Sequence, residues 1–200
     1  ASCLVGSEMC IRDSNNLLSL NELEKKLKLK FDNDKKILLC CFHPDTTINT
    51  SQNLEYLKTL LNFLRKTNEN IVFTYPNADK DFKKYIHQLE KFSNKKNFFI
   101  IKNLGKINYF SLLNFSDIVI GNSSSGIIET GNFKIPTINL GKRQEKRYSN
   151  INVVNSPFSE KEMLKAYKYV ISKKFKNKII NMKNIYYKKN CSLNFTNILY

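Results

Sequence analysis

Four times between residues 36 and 131 a short apolar run gives way to a polar loop and then to a helix-type pattern. This alternation constrains the fold more than any other feature of the chain. The runs at 36–42, 71–75, 98–102, 117–120 and 136–140 have strand length, and a shorter one follows at 152–154. Helical patterns fill 51–66, 80–92, 107–114 and 125–131 between them, with further helices expected at 22–28, 160–173 and 176–184. Ser19 and Glu22 have the spacing of a capping box. Leu54, Leu57, Leu61 and Leu64 give the helix over 51–66 one buried face. Strands that alternate with crossover helices pair in parallel, and a parallel sheet has both faces covered. The predicted fold is therefore an α/β, Rossmann-like, doubly wound parallel sheet.

In such sheets ligands bind beyond the carboxyl ends of the strands. The unusual polar residues fall there: His43, then Asn77 and Asp79, Lys102, Ser123 to Ser125, and Arg143 follow five successive strands. The string Gly121-Asn-Ser-Ser-Ser-Gly126 separates an apolar strand from a helix, which suits an anion cradle of small residues, hydroxyls and helix-start amides. A plain serine-capped turn is the alternative. Its spacing resembles a P-loop, but Ile127-Ile128 stands where Lys-Ser/Thr is needed to hold terminal phosphates and magnesium. A serine-hydrolase elbow is excluded too, because the glycine spacing fails and no histidine follows His87. Glu129, one turn into the helix, is placed to accept the two hydroxyls of a ribose, or is simply a favourable charge near a helix start. Arg143 and Arg147 lie in a loop that is either a solvated basic turn or a bidentate grip on phosphate. Together, cradle, diol acceptor and guanidinium describe a nucleoside-diphosphate site.

Net charge bears on the choice of partner. The 200 residues carry 33 basic against 17 acidic side chains, a formal +16, which invites an anionic ligand or nucleic acid. Only Arg12, Arg65, Arg143 and Arg147 are arginines, and Lys, Asn, Ile, Phe and Tyr all have A/T-rich codons. Either codon bias or an anionic partner can explain the lysine, and nucleic-acid binding, hinted at by Lys83-Lys84-Tyr85 and Tyr186-Tyr187-Lys188-Lys189, is disfavoured. Cys3, Cys10, Cys40, Cys41 and Cys191 include no C-x-x-C pair, and only two histidines are present, so neither a disulfide framework nor a metal centre is expected. No cofactor is called for. No apolar run approaches the ~20 residues of a membrane span. Residues 1–14 lack a leader's basic start and apolar core and do not share the pattern of the remaining chain. They are expected to be a foreign or disordered segment before a lobe at 15–200, in a cytoplasmic, reducing setting.

The string GNSSSGIIETGNFKIPTINLGKRQEKR at 121–147, with FHPDT at 42–46 and YPNAD at 75–79, resembles the C-terminal half of the UDP-N-acetylglucosamine 2-epimerase family. It is most similar to the hydrolysing branch that feeds sialic-acid-type sugar synthesis. The resemblance implies the second lobe of a two-lobed glycosyltransferase-B-type fold, with the first lobe absent, and a UDP-sugar in the cleft. By position it implies His43 as the activity-bearing histidine of the H-P motif and Ser123, Ser124, Ser125 and Gly126 around the diphosphate. Glu129 would hold the ribose, Arg143 would lie near the nucleotide, and Asn77 would line the site. It also implies loss of the C2 proton, anti-elimination of UDP, and water addition to give the epimerised free sugar. Most of the carboxylates for that chemistry lie in the other lobe. A glycosyltransferase of the same fold is the rival reading, and a homo-oligomer is left open.

Overall fold

The computed structural model describes residues 17–76, 81–92 and 96–187. Among them, six strands form one all-parallel sheet: β1 (Ile37–Cys41), β2 (Asn70–Thr74), β3 (Phe98–Ile101), β4 (Ile118–Gly121), β5 (Thr137–Leu140) and β6 (Val153–Ser156). Their spatial order is β3-β2-β1-β4-β5-β6, and every neighbouring pair is parallel. This is the doubly wound order that reverses direction between β1 and β4.

The strands are apolar on both faces because both are covered. Leu38 and Cys40 of β1, with Ile118 and Ile120 of β4, join one core layer, whereas Ile37, Leu39 and Val119 join the other. The first layer packs beneath α2 (Thr50–Thr67), α3 (Phe82–Glu90), α6 (Glu160–Val170) and α7 (Lys173–Ile179). The second packs beneath α1 (Leu20–Leu27) and α4 (Gly105–Phe115). Leu57, Leu60, Leu61 and Leu64 are all sealed under α2, each such leucine contributing about 1.5–3 kcal/mol by leaving water. The expected capping box opens α1: Glu22 N–H donates to Ser19 Oγ, and Ser19 N–H donates to Glu22 Oε2 at 2.8 Å.

Two helices differ from expectation for local reasons. The helix expected over 125–131 is only α5 (Ser125–Ile128). The Ile128 carbonyl, which a further turn would use, accepts instead from Asn184 Nδ2 at 3.1 Å, and the chain turns back toward β5 through Gly131 and Lys134, the latter at φ 53. A Cβ on Gly131 would sit 2.7 Å from Asn150 Nδ2 and 2.8 Å from Asn184 Cγ, so only glycine passes beneath that asparagine pair. The last helix begins three residues early because Ser172 caps it, its Oγ accepting from Phe175 N–H at 3.2 Å. No described helix is long and apolar enough to cross a membrane.

Candidate functional site

The loops after β1, β4 and β5 meet at the carboxyl rim, and one buried residue joins them. Asn122, 2% exposed, stands one residue beyond β4. Its Nδ2 donates to the His43 carbonyl and its Oδ1 accepts from His43 N–H, both at 2.7 Å. The amide side chain thus continues the β1–β4 ladder past the last backbone pair, Cys41 with Gly121. The Asn122 carbonyl accepts from Arg143 Nη1 at 3.1 Å and from Gln144 Nε2 at 3.0 Å. Histidine loop, serine loop and arginine loop are therefore fixed to a common point. A second buried asparagine secures the far side of the histidine loop: Asn53 accepts from Asp45 N–H at 2.8 Å and donates to the Asp45 carbonyl at 2.9 Å. Asn122→Ala strips two buried backbone groups of their partners and is expected to cost ~2–4 kcal/mol. Urea denaturation measures it, and an unchanged midpoint would contradict the clamp.

The serine loop does not behave as a plain capped turn. Ser124 occupies the N-cap position of α5 without a side-chain capping bond. Ser125 Oγ instead donates to Ser123 Oγ at 3.3 Å, and the Tyr109 hydroxyl, reaching over from α4, donates to Ser125 Oγ at 2.7 Å. Gly126 N–H and Ile127 N–H already close on the carbonyls of Ser123 and Ser124. With only one turn of helix behind it, the cradle offers hydroxyls and the neighbouring guanidinium more than a helix field. Gly126 is buried, and a Cβ there would lie 3.2 Å from Thr137 Cγ2 of β5.

Glu129 is half-buried beyond the serines. Burial raises its carboxyl above the ordinary value. Burial, followed by the charge of Glu129, drives the Tyr109 phenol well up. A carboxyl raised in the folded state adds stability that is full below its unfolded value and is lost as pH rises through the folded one. Glu129→Gln is therefore expected to stabilise the fold at neutral pH and to flatten its decline above the ordinary carboxylate range. Urea midpoints across that range check both. A carboxylate kept at a cost to stability is what a ligand-binding role explains.

His43 is 8% exposed, with its Nε2 3.2 Å from Cys41 Sγ. Arg143 is exposed and lines a cleft of about 370 Å³ with Lys142, Asn122, Asp45 and the stacked pair Tyr56 and Phe158, whose ring centroids are 4.4 Å apart. The charges of Arg143 and Glu129 bear in opposite directions on the Cys41 thiol, which burial raises. The structure thus brings together His43, Ser123, Ser125, Glu129 and Arg143, with Ser124 and Gly126 in the same loop. Arg147 is exposed further along the basic loop. Asn77 and Asp79 lie outside the described residues, as do 1–14. Asn122, Gln144 and Tyr109 are participants that the sequence reading did not single out. Tyr85, in one of the lysine-tyrosine strings, is 1% exposed and so cannot stack on a base. No group of three or more potential metal ligands occurs among the described residues.

A doubly wound sheet with polar side chains gathered over the β1–β4 switch has the fold of the C-terminal half of the glycosyltransferase-B type. The same fold appears in the UDP-N-acetylglucosamine 2-epimerase of Neisseria meningitidis, solved with UDP-GlcNAc bound. That structure has a TM-score of 0.70 at 15% identity over 96% of this chain and 52% of that one. The profile of the family described as UDP-N-acetylglucosamine 2-epimerase matches residues 4–200. The chain belongs to that family. It is 36% identical to the GDP/UDP-N,N'-diacetylbacillosamine 2-epimerase (hydrolyzing) of Campylobacter jejuni over 80% of its own length and 41% of the relative's. It is 28% identical to a polysialic acid biosynthesis protein of Escherichia coli over 93% of its length and 48% of that protein's. The chain therefore spans less than half the length of these curated relatives.

Proposed function

We propose that this chain is the UDP-holding lobe of a hydrolysing 2-epimerase acting on a UDP-N-acetylated sugar, in the supply of sialic-acid-type sugars. The observation that carries this reading is the Asn122 junction, which holds His43, the serine cradle and Arg143 in one frame over the sheet's switch point. Ser123, Ser124, Ser125 and Gly126 take the diphosphate, Arg143 neutralises it, and Glu129 accepts the ribose hydroxyls. Asn77 completes the lining, and His43 is the catalytic residue of this lobe. The hydrolysing relative in Campylobacter jejuni supports this substrate class.

The chemistry divides between lobes on this reading. Elimination of UDP places charge on the leaving diphosphate, which serine hydroxyls and a guanidinium stabilise most when pre-oriented. Proton removal at C2 needs a base, and none of the residues gathered here is offered as that base; it belongs to the partner lobe of the full enzyme. Calorimetric titration of the 200-residue chain should show UDP binding well above that of UMP or ADP, with no free sugar released from UDP-N-acetylglucosamine. Equal affinity for UMP and UDP would remove the diphosphate from the site, and release of sugar would overturn the division of labour.

A further inference from the structure

The cleft beside Arg143 is walled for something less polar than a phosphate. Ile48 from the loop after β1, Tyr56 of α2, Leu140 at the end of β5, and Pro157 and Phe158 beyond β6 line it. Tyr56 and Phe158 stack 4.4 Å apart and 9° from parallel, and the buried Phe42 meets Phe158 edge-on at 5.8 Å. Such ring-on-ring packing holds the wall in shape before any ligand arrives. The loop that carries Arg143 rests directly on it: at Gly141, where φ is 68, a Cβ would lie 2.8 Å from Phe158 Cε2. Asp45 and Asn155 add polar groups to the lining. At about 370 Å³ the cleft is at the small end of ligand pockets and suits one substituted ring, not a whole nucleotide.

Its position relative to the serine cradle points to which ring. Glu129 stands beside Tyr109, which packs on the second core layer, whereas Tyr56 and Phe158 pack on the first. Between them lie the serines and Arg143, the latter tied to the serine loop through the Asn122 carbonyl and bordering the cleft itself. A UDP-sugar with its ribose at Glu129 and its diphosphate between the serines and Arg143 therefore directs its glycosyl end to the first-layer side, where the cleft lies. We propose that this cleft receives the sugar ring with its N-acyl group, the Tyr56 and Phe158 rings taking the acyl methyl. The proposal rests on the UDP-holding reading above and adds to it a determinant of sugar choice within this lobe. An acetamido group buries apolar surface against that wall which a hydroxyl in its place cannot.

NOE spectroscopy of the 200-residue chain with UDP-N-acetylglucosamine locates the acetyl methyl, which should give cross-peaks to the ring protons of Tyr56 and Phe158. Titrations should show UDP-N-acetylglucosamine bound ~10-fold more tightly than UDP-glucose, the discrimination a small apolar group commands in a fitted pocket. Tyr56→Ala should bring that ratio close to one. Equal affinities in the wild type, acetyl cross-peaks to other side chains only, or an unchanged ratio in a folded Tyr56→Ala overturns the proposal. Should the variant not fold, the wild-type cross-peaks and ratio decide. UDP and N-acetylglucosamine 1-phosphate, titrated separately, keep the two ideas apart. UDP binding alongside any of the adverse results leaves the nucleotide reading standing and removes the cleft from it. Cross-peaks from N-acetylglucosamine 1-phosphate in a chain that does not bind UDP uphold the cleft and overturn that reading, and binding of neither overturns both.

Discussion

Gly121→Ala is expected to destabilise the fold by ~4 kcal/mol or more, enough to consume much of a small domain's stability. Gly121 closes β4 at φ 146, and an added Cβ would lie 1.9 Å from the Cys41 carbonyl oxygen and 2.8 Å from its carbon. Both are backbone atoms of the neighbouring central strand, in register with Gly121. Relief requires the β1–β4 pair to part at the point where Asn122 and His43 begin their exchange. Gly105→Ala is the matched control: its φ is 66, but no atom lies within 4 Å of the added carbon, so only the backbone cost of ~1 kcal/mol applies. Urea denaturation of the two variants compares them, and equal midpoints would show that the close approach to β1 is not what requires glycine.

Arg143→Ala should weaken UDP binding by ~30- to 100-fold, the effect of losing about 2–3 kcal/mol of charge-assisted hydrogen bonding. The guanidinium is exposed to an incoming ligand, yet Nη1 is already held by the Asn122 carbonyl. Part of the entropy of ordering a long side chain is thus met before binding. Arg143→Lys should recover little, since an ammonium cannot reproduce a planar fork anchored on one side and donating on the other. Arg147→Ala should leave the affinity near wild type. Isothermal titration at low and high salt checks all three; UDP affinity unmoved by Arg143→Ala would take the diphosphate away from this loop.

Much of the architecture was legible because burial on both faces makes strands such as Ile37–Cys41 continuously apolar, and the interleaved helices carry a 3.6-residue pattern. Strand ends agree within about two residues. Strand order is a matter of non-local pairing and leaves no local mark. The over-long α5 shows the limit: Ile127, Ile128 and Glu129 continue a helical pattern, and what stops it is Asn184, 56 residues away. The misplaced start of α7 was legible in principle, since Ser172 is an ordinary cap. At the site, residue types that advertise chemistry stood out: serines between glycines, an arginine, a carboxylate. Residues that hold these in place did not. Asn122 was readable only as a letter of the cradle and Tyr109 as part of a helix face, because their partners lie on other strands and helices.

The sheet order carries a mechanical consequence. Everything before α4 builds β1, β2 and β3 on one side, and everything after it builds β4, β5 and β6 on the other, so within the sheet the two successive halves meet at one strand pair, β1 with β4. His43 belongs to the first half, the serines and Arg143 to the second. Any ligand seated across them grips both halves at once, and binding free energy adds to the work of separating them. A ligand seated at the rim would thus also be a staple across the β1–β4 pair.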